Sequence, residues 1–167
     1  MSNENHLELL KMGVEQWNEW REQNPEVIPD FSWANLPGMD FKNYNFENAN
    51  LKLAFCKNCD FSGANLKNSN LYGANLEHAN CTGSDFQGAN LEGALFKDAV
   101  LVDANLSQCN FRLANMEGSD LRGADLTGCK KLKADQLSRA STLYRAKLSD
   151  RIFEGLKEKS IHLFKKI

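Results

Sequence analysis

The sequence predicts an all-β solenoid, a chain wound into stacked coils of short sides and closed at both ends by α-helical caps. Two observations carry this. A single apolar residue recurs at every fifth position from Phe31 to Leu126, 20 times without an insertion. The flanks lose that period and space their apolar residues as helices do. The 167 residues therefore read as a cap (1–28), a repeat body (29–128) and a second cap (129–167).

With the apolar centre called i, the 20 centres are 10 Leu, 7 Phe, 2 Cys (Cys56, Cys81) and Met116. Position i−2 holds 12 Ala, 3 Ser and 2 Cys, with Pro29, Met39 and Tyr44 the larger exceptions. Position i−1 holds 11 Asn and 6 Asp, and only Phe55, Leu95 and Val100 depart. Nine of the 11 Gly fall at i+2. A helix of 3.6 residues per turn would smear such centres around its circumference. A strand would send successive centres to opposite faces. The backbone must instead turn a corner every five residues, with i and i−2 inward. Gly at i+2 and Asn or Asp at i−1 suit tight turns and bond to local backbone.

This A(D/N)LxG pattern resembles the pentapeptide-repeat proteins. The resemblance covers residues 29–128 without a break. It implies a right-handed quadrilateral β-helix, four sides to a coil, and hence about five coils. At a strand spacing of about 4.8 Å the shaft is roughly 24 Å long. Each coil buries its apolar layer only against its neighbours, so both ends need covers.

At the N-terminal end Leu7, Leu10, Val14 and Trp17 fall at helical spacing until Asn24-Pro25, which predicts one helix laid over the first coil. The bulky Met39 and Tyr44 sit in that coil, and Trp33 and Leu53 stack in a column that the helix is expected to meet. At the other end "KADQLSRA" predicts a short helix and "TLYRAKL" an extended segment. The run from Ser149 to Ile167 predicts an amphipathic helix with Ser149 or Asp150 as N-cap and Ile152, Leu156, Leu163 and Ile167 on one stripe. That stripe is expected to fold back on the last coil rather than pair with a second copy. The end of the chain, "GCKKLKADQL…TLYRAKL", also resembles the closing segment of the family.

The N-terminus lacks the basic and apolar regions of a signal peptide, and no stretch approaches the ~20 apolar residues of a membrane span. Five Cys, an odd number, fit a reducing cytoplasm better than a disulfide framework. "CKNC" (Cys56 to Cys59) has metal-ligand spacing, yet both thiols, like Cys81, Cys109 and Cys129, fall on inward positions and read as core. His78 and Asp98 share an outward column and read as a surface hydrogen bond. The column Asn50, Asn70, Asn90, Asn110 reads as stacked amides bonding each other and the turns. No catalytic constellation, metal or cofactor is expected, and the reading is non-enzymatic.

Function then belongs to the faces. Lys57, Glu77, Lys97 and Glu117 alternate along one column, which predicts a weak ion-pair ladder without net field. Tyr72, Leu95, Val100, Val102 and Leu113 are outward apolar residues that capping does not explain, and they form the candidate docking face for a protein partner. Some pentapeptide-repeat proteins mimic DNA and bind type II topoisomerases, so the resemblance also implies a topoisomerase as possible partner. Mimicry needs strong negative charge, and the repeat body has 12 acids against 7 bases, net −5. Residues 1–128 carry net −9 and residues 129–167 net +7. The basic tail is expected to complement the acidic body or an acidic partner. No Phe/Leu pair visibly closes a two-fold at the C-terminal end, so a monomer is favoured over a homodimer.

Overall fold

The computed structural model describes residues 3–158 and 160–166. From Asp30 to Lys130 each i−1 residue forms a parallel β-bridge with the residue 20 positions on, beginning with Asp30–Asn50 and ending with Asn110–Lys130. Four sides of five residues thus close one coil, and the coils stack in register. All 20 centres are buried, as is nearly every small residue at i−2.

A side that follows the repeat rule accounts for its five backbone N–H groups, and the side around Leu51 shows how. Asn50 N–H donates to Pro29 O in the coil before (2.8 Å), and Leu51 and Leu53 N–H donate to Asn70 O and Tyr72 O in the coil after (both 2.8 Å). Ala54 N–H closes the corner on Leu51 O (3.0 Å). The fifth, Lys52 N–H, finds the Asn50 side-chain oxygen (3.2 Å). Each corner carries positive φ at i+2. Gly123 (φ +67°) shows a second reason for glycine there, because a Cβ would collide with the Asp103 carboxylate lying over it from the coil before.

The N-terminal cap is two helices, α1 (Glu4–Lys11) and α2 (Val14–Gln23), not the single helix that apolar spacing predicts. Gly13 breaks it with φ +101°, open to glycine alone. Wholly buried Trp17 plugs the first coil: its Nε1–H donates to Asn45 O (2.9 Å), and its ring lies 5.7 Å from Phe31 and 5.8 Å from Phe46. Buried Arg21 braces the join by donating to Val27 O (2.7 Å) and Glu47 O (3.0 Å). Tyr44 fills the wide mouth and donates its hydroxyl to Leu10 O (3.2 Å).

At the other end α3 (Ala134–Leu137) replaces one side, after which the ladder resumes. Thr142 bridges Asp120 and Lys147 bridges Asp125, a step of 22 instead of 20, and Leu143 returns to the core. The predicted terminal helix stops early. α4 (Asp150–Lys157) follows Ser149 as N-cap, and a 3-10 turn (Ile161–Phe164) brings Leu163 back so that its carbonyl accepts from Leu143 N–H (2.7 Å). Ile152, Leu156 and Leu163 are buried, so the tail folds back on the last coil. Ile167 lies outside the described residues. No helix among those described is long and apolar enough to cross a membrane.

Candidate interaction surface

The bond from i+1 N–H to the i−1 side chain explains the Asn/Asp column. It recurs at Asp30, Asp40, Asn45, Asn50, Asp60 and Asn65 and onward to Asp125, wherever i−1 is Asn or Asp and i+1 has an N–H. Pro37, which has none, follows Asn35. On the first side the amides also bond each other from coil to coil: Asn70 to Asn50 (3.3 Å), Asn90 to Asn70 (3.2 Å) and Asn110 to Asn90 (3.1 Å). Where Phe55, Leu95 and Val100 replace the Asx residue, the N–H groups of Lys57, Lys97 and Val102 have no acceptor among the described residues. Three outward apolar side chains thus stand where the repeat's own chemistry wants an amide or carboxylate.

A second set of exceptions lies at the corner between the first and second sides. Trp33, Leu53 and Leu113 hold φ near +60° (63°, 57° and 59°), a region that costs bulky residues roughly 1–2 kcal/mol. Leu53 lies over Gly73 of the next coil, whereas Leu113 is 75% exposed and Trp33 65%. The first helix therefore does not cover Trp33. It leaves an open groove of about 580 Å³ between Leu7, Glu8 and Lys11 of α1 and Trp33.

The five candidate residues divide accordingly. Tyr72 (42% exposed) and Leu113 line the first side of that corner and half-buried Leu95 its second, together with Phe55, which lacks its amide just as Leu95 does. Val100 and half-buried Val102 stand on the third side. There Val102 lines a groove of about 270 Å³ with Arg122, Tyr144, Arg145 and Lys166. The Lys52 ammonium covers the Tyr72 ring at 5.6 Å. Trp33 and Phe55 belong to the same surface, and each is marked in the sequence by a large apolar residue at a glycine or Asx position.

The remaining candidates are structural. Cys59 donates to Leu36 O (2.8 Å) and Cys109 to Phe86 O (2.9 Å). Burial pushes the Cys81 and Cys109 thiols up and Cys129 to about 12, so all three stay thiols at neutral pH. No group of three His, Cys, Asp or Glu among the described residues is placed to hold a metal. His78 Nδ1 and Asp98 Oδ2 stand 4.0 Å apart, too far for the expected hydrogen bond. Of the alternating column only Lys57–Glu77 closes (3.3 Å). Other carboxylates of the body are paired: Asp60 with Lys42 (3.2 Å), Asp85 with Lys67 (3.3 Å), Glu92 with Arg112 (2.5 Å) and Asp120 with Arg122 (2.6 Å). Partial burial pushes the Asp60 carboxyl up, but bonds from Ser62, Lys42 and Asn80 outweigh it and hold the group below its ordinary value.

The family model for pentapeptide repeats matches residues 30–55, 54–93 and 94–130, in eight copies. The chain belongs to the pentapeptide repeat family. Among solved structures, a pentapeptide repeat protein from the Arabidopsis thaliana thylakoid lumen is similar at 21% identity, covering 75% of this chain and 88% of that one, with a TM-score of 0.53. That likeness is one of fold. Full-length QnrB1, a plasmid-mediated fluoroquinolone resistance protein, matches at 24% identity over 75% of each chain, TM-score 0.31. HetL, a pentapeptide repeat protein involved in heterocyst differentiation regulation in Nostoc sp. PCC 7120, matches at 26% identity over 60% of this chain and 59% of its own, TM-score 0.29. No curated protein matches this chain.

Proposed function

We propose that this pentapeptide repeat protein is a non-enzymatic binding module, a right-handed quadrilateral shaft acting in the cytoplasm through protein–protein contact. The docking surface wraps round the shaft, through Tyr72 and Leu113 on the first side, Leu95 with Phe55 on the second, and Val100 and Val102 on the third. The observation that carries this is the exchange of an amide or carboxylate for Leu95 and Val100 in one coil, which leaves the N–H groups of Lys97 and Val102 without an acceptor among the described residues. Each exchange forgoes a hydrogen bond worth about 0.5–1.5 kcal/mol and gains outward apolar surface. Local rules broken without local gain mark function. A partner with an apolar patch and a few acceptor groups fits this face.

The reading as a topoisomerase-binding DNA mimic draws less support. Four of the body's 12 carboxylates, Asp60, Asp85, Glu92 and Asp120, are paired with Lys42, Lys67, Arg112 and Arg122, and the body as a whole carries only net −5. The test is a pull-down from the native host with wild type and with Leu95→Glu plus Val102→Glu. Loss of a specific partner in the variant supports the docking face; unchanged recovery of every partner removes it.

A further inference from the structure

The two ends of the molecule carry opposite charge that stays largely unanswered within the chain. Residues 1–28 hold 6 acids and 2 bases, net −4, against net +7 for residues 129–167. Glu15, Glu19 and Glu22 follow one another at helical spacing along α2 and are exposed, while Trp17 and Arg21 are buried. The one ion pair described in this cap is Lys11–Glu8. At the far end Lys147 pairs with Asp125 and Lys157 with Glu154, and those are the only pairs described for that segment. Of the tail's 11 bases, only Lys147 is thus described as paired with the body. Lys130, Lys131 and Arg151 instead line an open groove of about 470 Å³ with Leu132 and Ile152.

The ends cannot neutralise each other in one molecule. A shaft of roughly 24 Å separates them, some three times the ~8 Å screening length at physiological salt. Both ends also expose apolar side chains beside their charges: Met12, Val27 and Ile28 at the head, Phe153 and Ile161 at the tail. Opposite charge and apolar surface on the two ends of one chain are what a second copy needs. We infer that copies of this chain associate head to tail, the Glu15–Glu19–Glu22 face of one meeting the Lys130–Lys131–Arg151 groove of the next. Such a heterologous contact requires no two-fold. The inference stands independently of the docking face proposed above.

Sedimentation of the full chain between about 0.02 and 0.5 M salt tests it, since the screening length then falls from roughly 20 Å to roughly 4 Å. The mean mass is expected to rise with concentration at low salt without stopping at a dimer, and to return to 18.8 kDa at high salt. Two charge-reversed variants sharpen the test: Glu15→Lys/Glu19→Lys/Glu22→Lys at the head and Lys130→Glu/Lys131→Glu/Arg151→Glu at the tail. Each alone is expected to stay monomeric, and mixing them is expected to restore association, because the reversed ends match again. All six positions are exposed, and circular dichroism confirms folding; should a triple variant unfold, Glu19→Lys with Lys131→Glu repeats the design at one site per end. The inference is overturned if wild type stays at 18.8 kDa at low salt up to about 1 mM. It is equally overturned if either variant still self-associates or if the mixture does not. Capture of a duplex DNA fragment by a protein that is itself monomeric would give the groove to phosphates instead.

Discussion

The first side and the fourth coil keep the same backbone with different means. On the first side Asn50, Asn70, Asn90 and Asn110 tie each corner to its own N–H and to the next coil. In the fourth coil Leu95 and Val100 offer neither bond, yet Leu76 N–H still reaches Leu95 O (2.8 Å) and Cys81 N–H reaches Val100 O (2.7 Å). The inter-coil ladder and the buried centres therefore set the geometry, and the Asx bond adds stability without being required. That makes i−1 a position the fold can give up, which is where an interaction surface can be installed at modest cost.

If core and ladder dominate, Phe96→Ala should have the largest effect. Phe96 is wholly buried and 6.1 Å from the Phe86 ring, and its truncation is expected to cost about 3–5 kcal/mol in denaturant unfolding. Asn70→Leu copies the fourth coil onto the first side. It removes the bond from Tyr72 N–H and both rungs to Asn50 and Asn90, and a loss of about 1–3 kcal/mol is expected. A loss as large as that of Phe96→Ala would refute the ranking. The reverse change, Leu95→Asn, restores the acceptor for Lys97 N–H and should stabilise by about 0.5–1.5 kcal/mol, seen as a rise of about 2–4 °C in Tm per kcal/mol.

The smallest effect separates cap from shaft by pH. Burial lowers the His6 imidazole below its ordinary 6.5, and its Nδ1 accepts from Asp30 N–H (3.0 Å). The folded cap thus favours neutral His6. Its contribution is complete above 6.5 and is lost as pH falls below 6.5 toward the lowered folded value. Asp60 and Asp125 are held below their ordinary 3.8, so their contributions to the shaft persist until pH falls through those lower values. All three Trp, residues 17, 20 and 33, lie in the cap or first coil. Their emission should shift at mildly acid pH while the circular dichroism of the shaft holds, and His6→Gln should abolish the early shift.

Much of this was legible in the sequence. The period of five places all 20 centres, and the amide ladder is visible as a column of Asn. What stayed hidden has physical causes. Apolar spacing runs straight across Gly13, whose positive φ breaks the cap helix. Two extra residues around α3 shift Leu143 out of the fivefold count, although they resume it in space. Arg21 and His6 do not stand out, because nothing in the sequence shows which carbonyls and N–H groups of the first coil await them. Trp33 and Leu113 share a face with Tyr72, but their exposure depends on whether the helices cover that corner, and α1 leaves it open. Leu95 and Val100 were visible as apolar exceptions; the bond they forgo was not.

The decisive measurement is quantitative capture from the native host with wild type and with Leu95→Asn/Val100→Asn, a variant that follows the repeat rule. The account predicts a variant at least as heat-stable as wild type that no longer retains a defined partner. A variant that retains every partner would contradict the claim that these residues were given to binding.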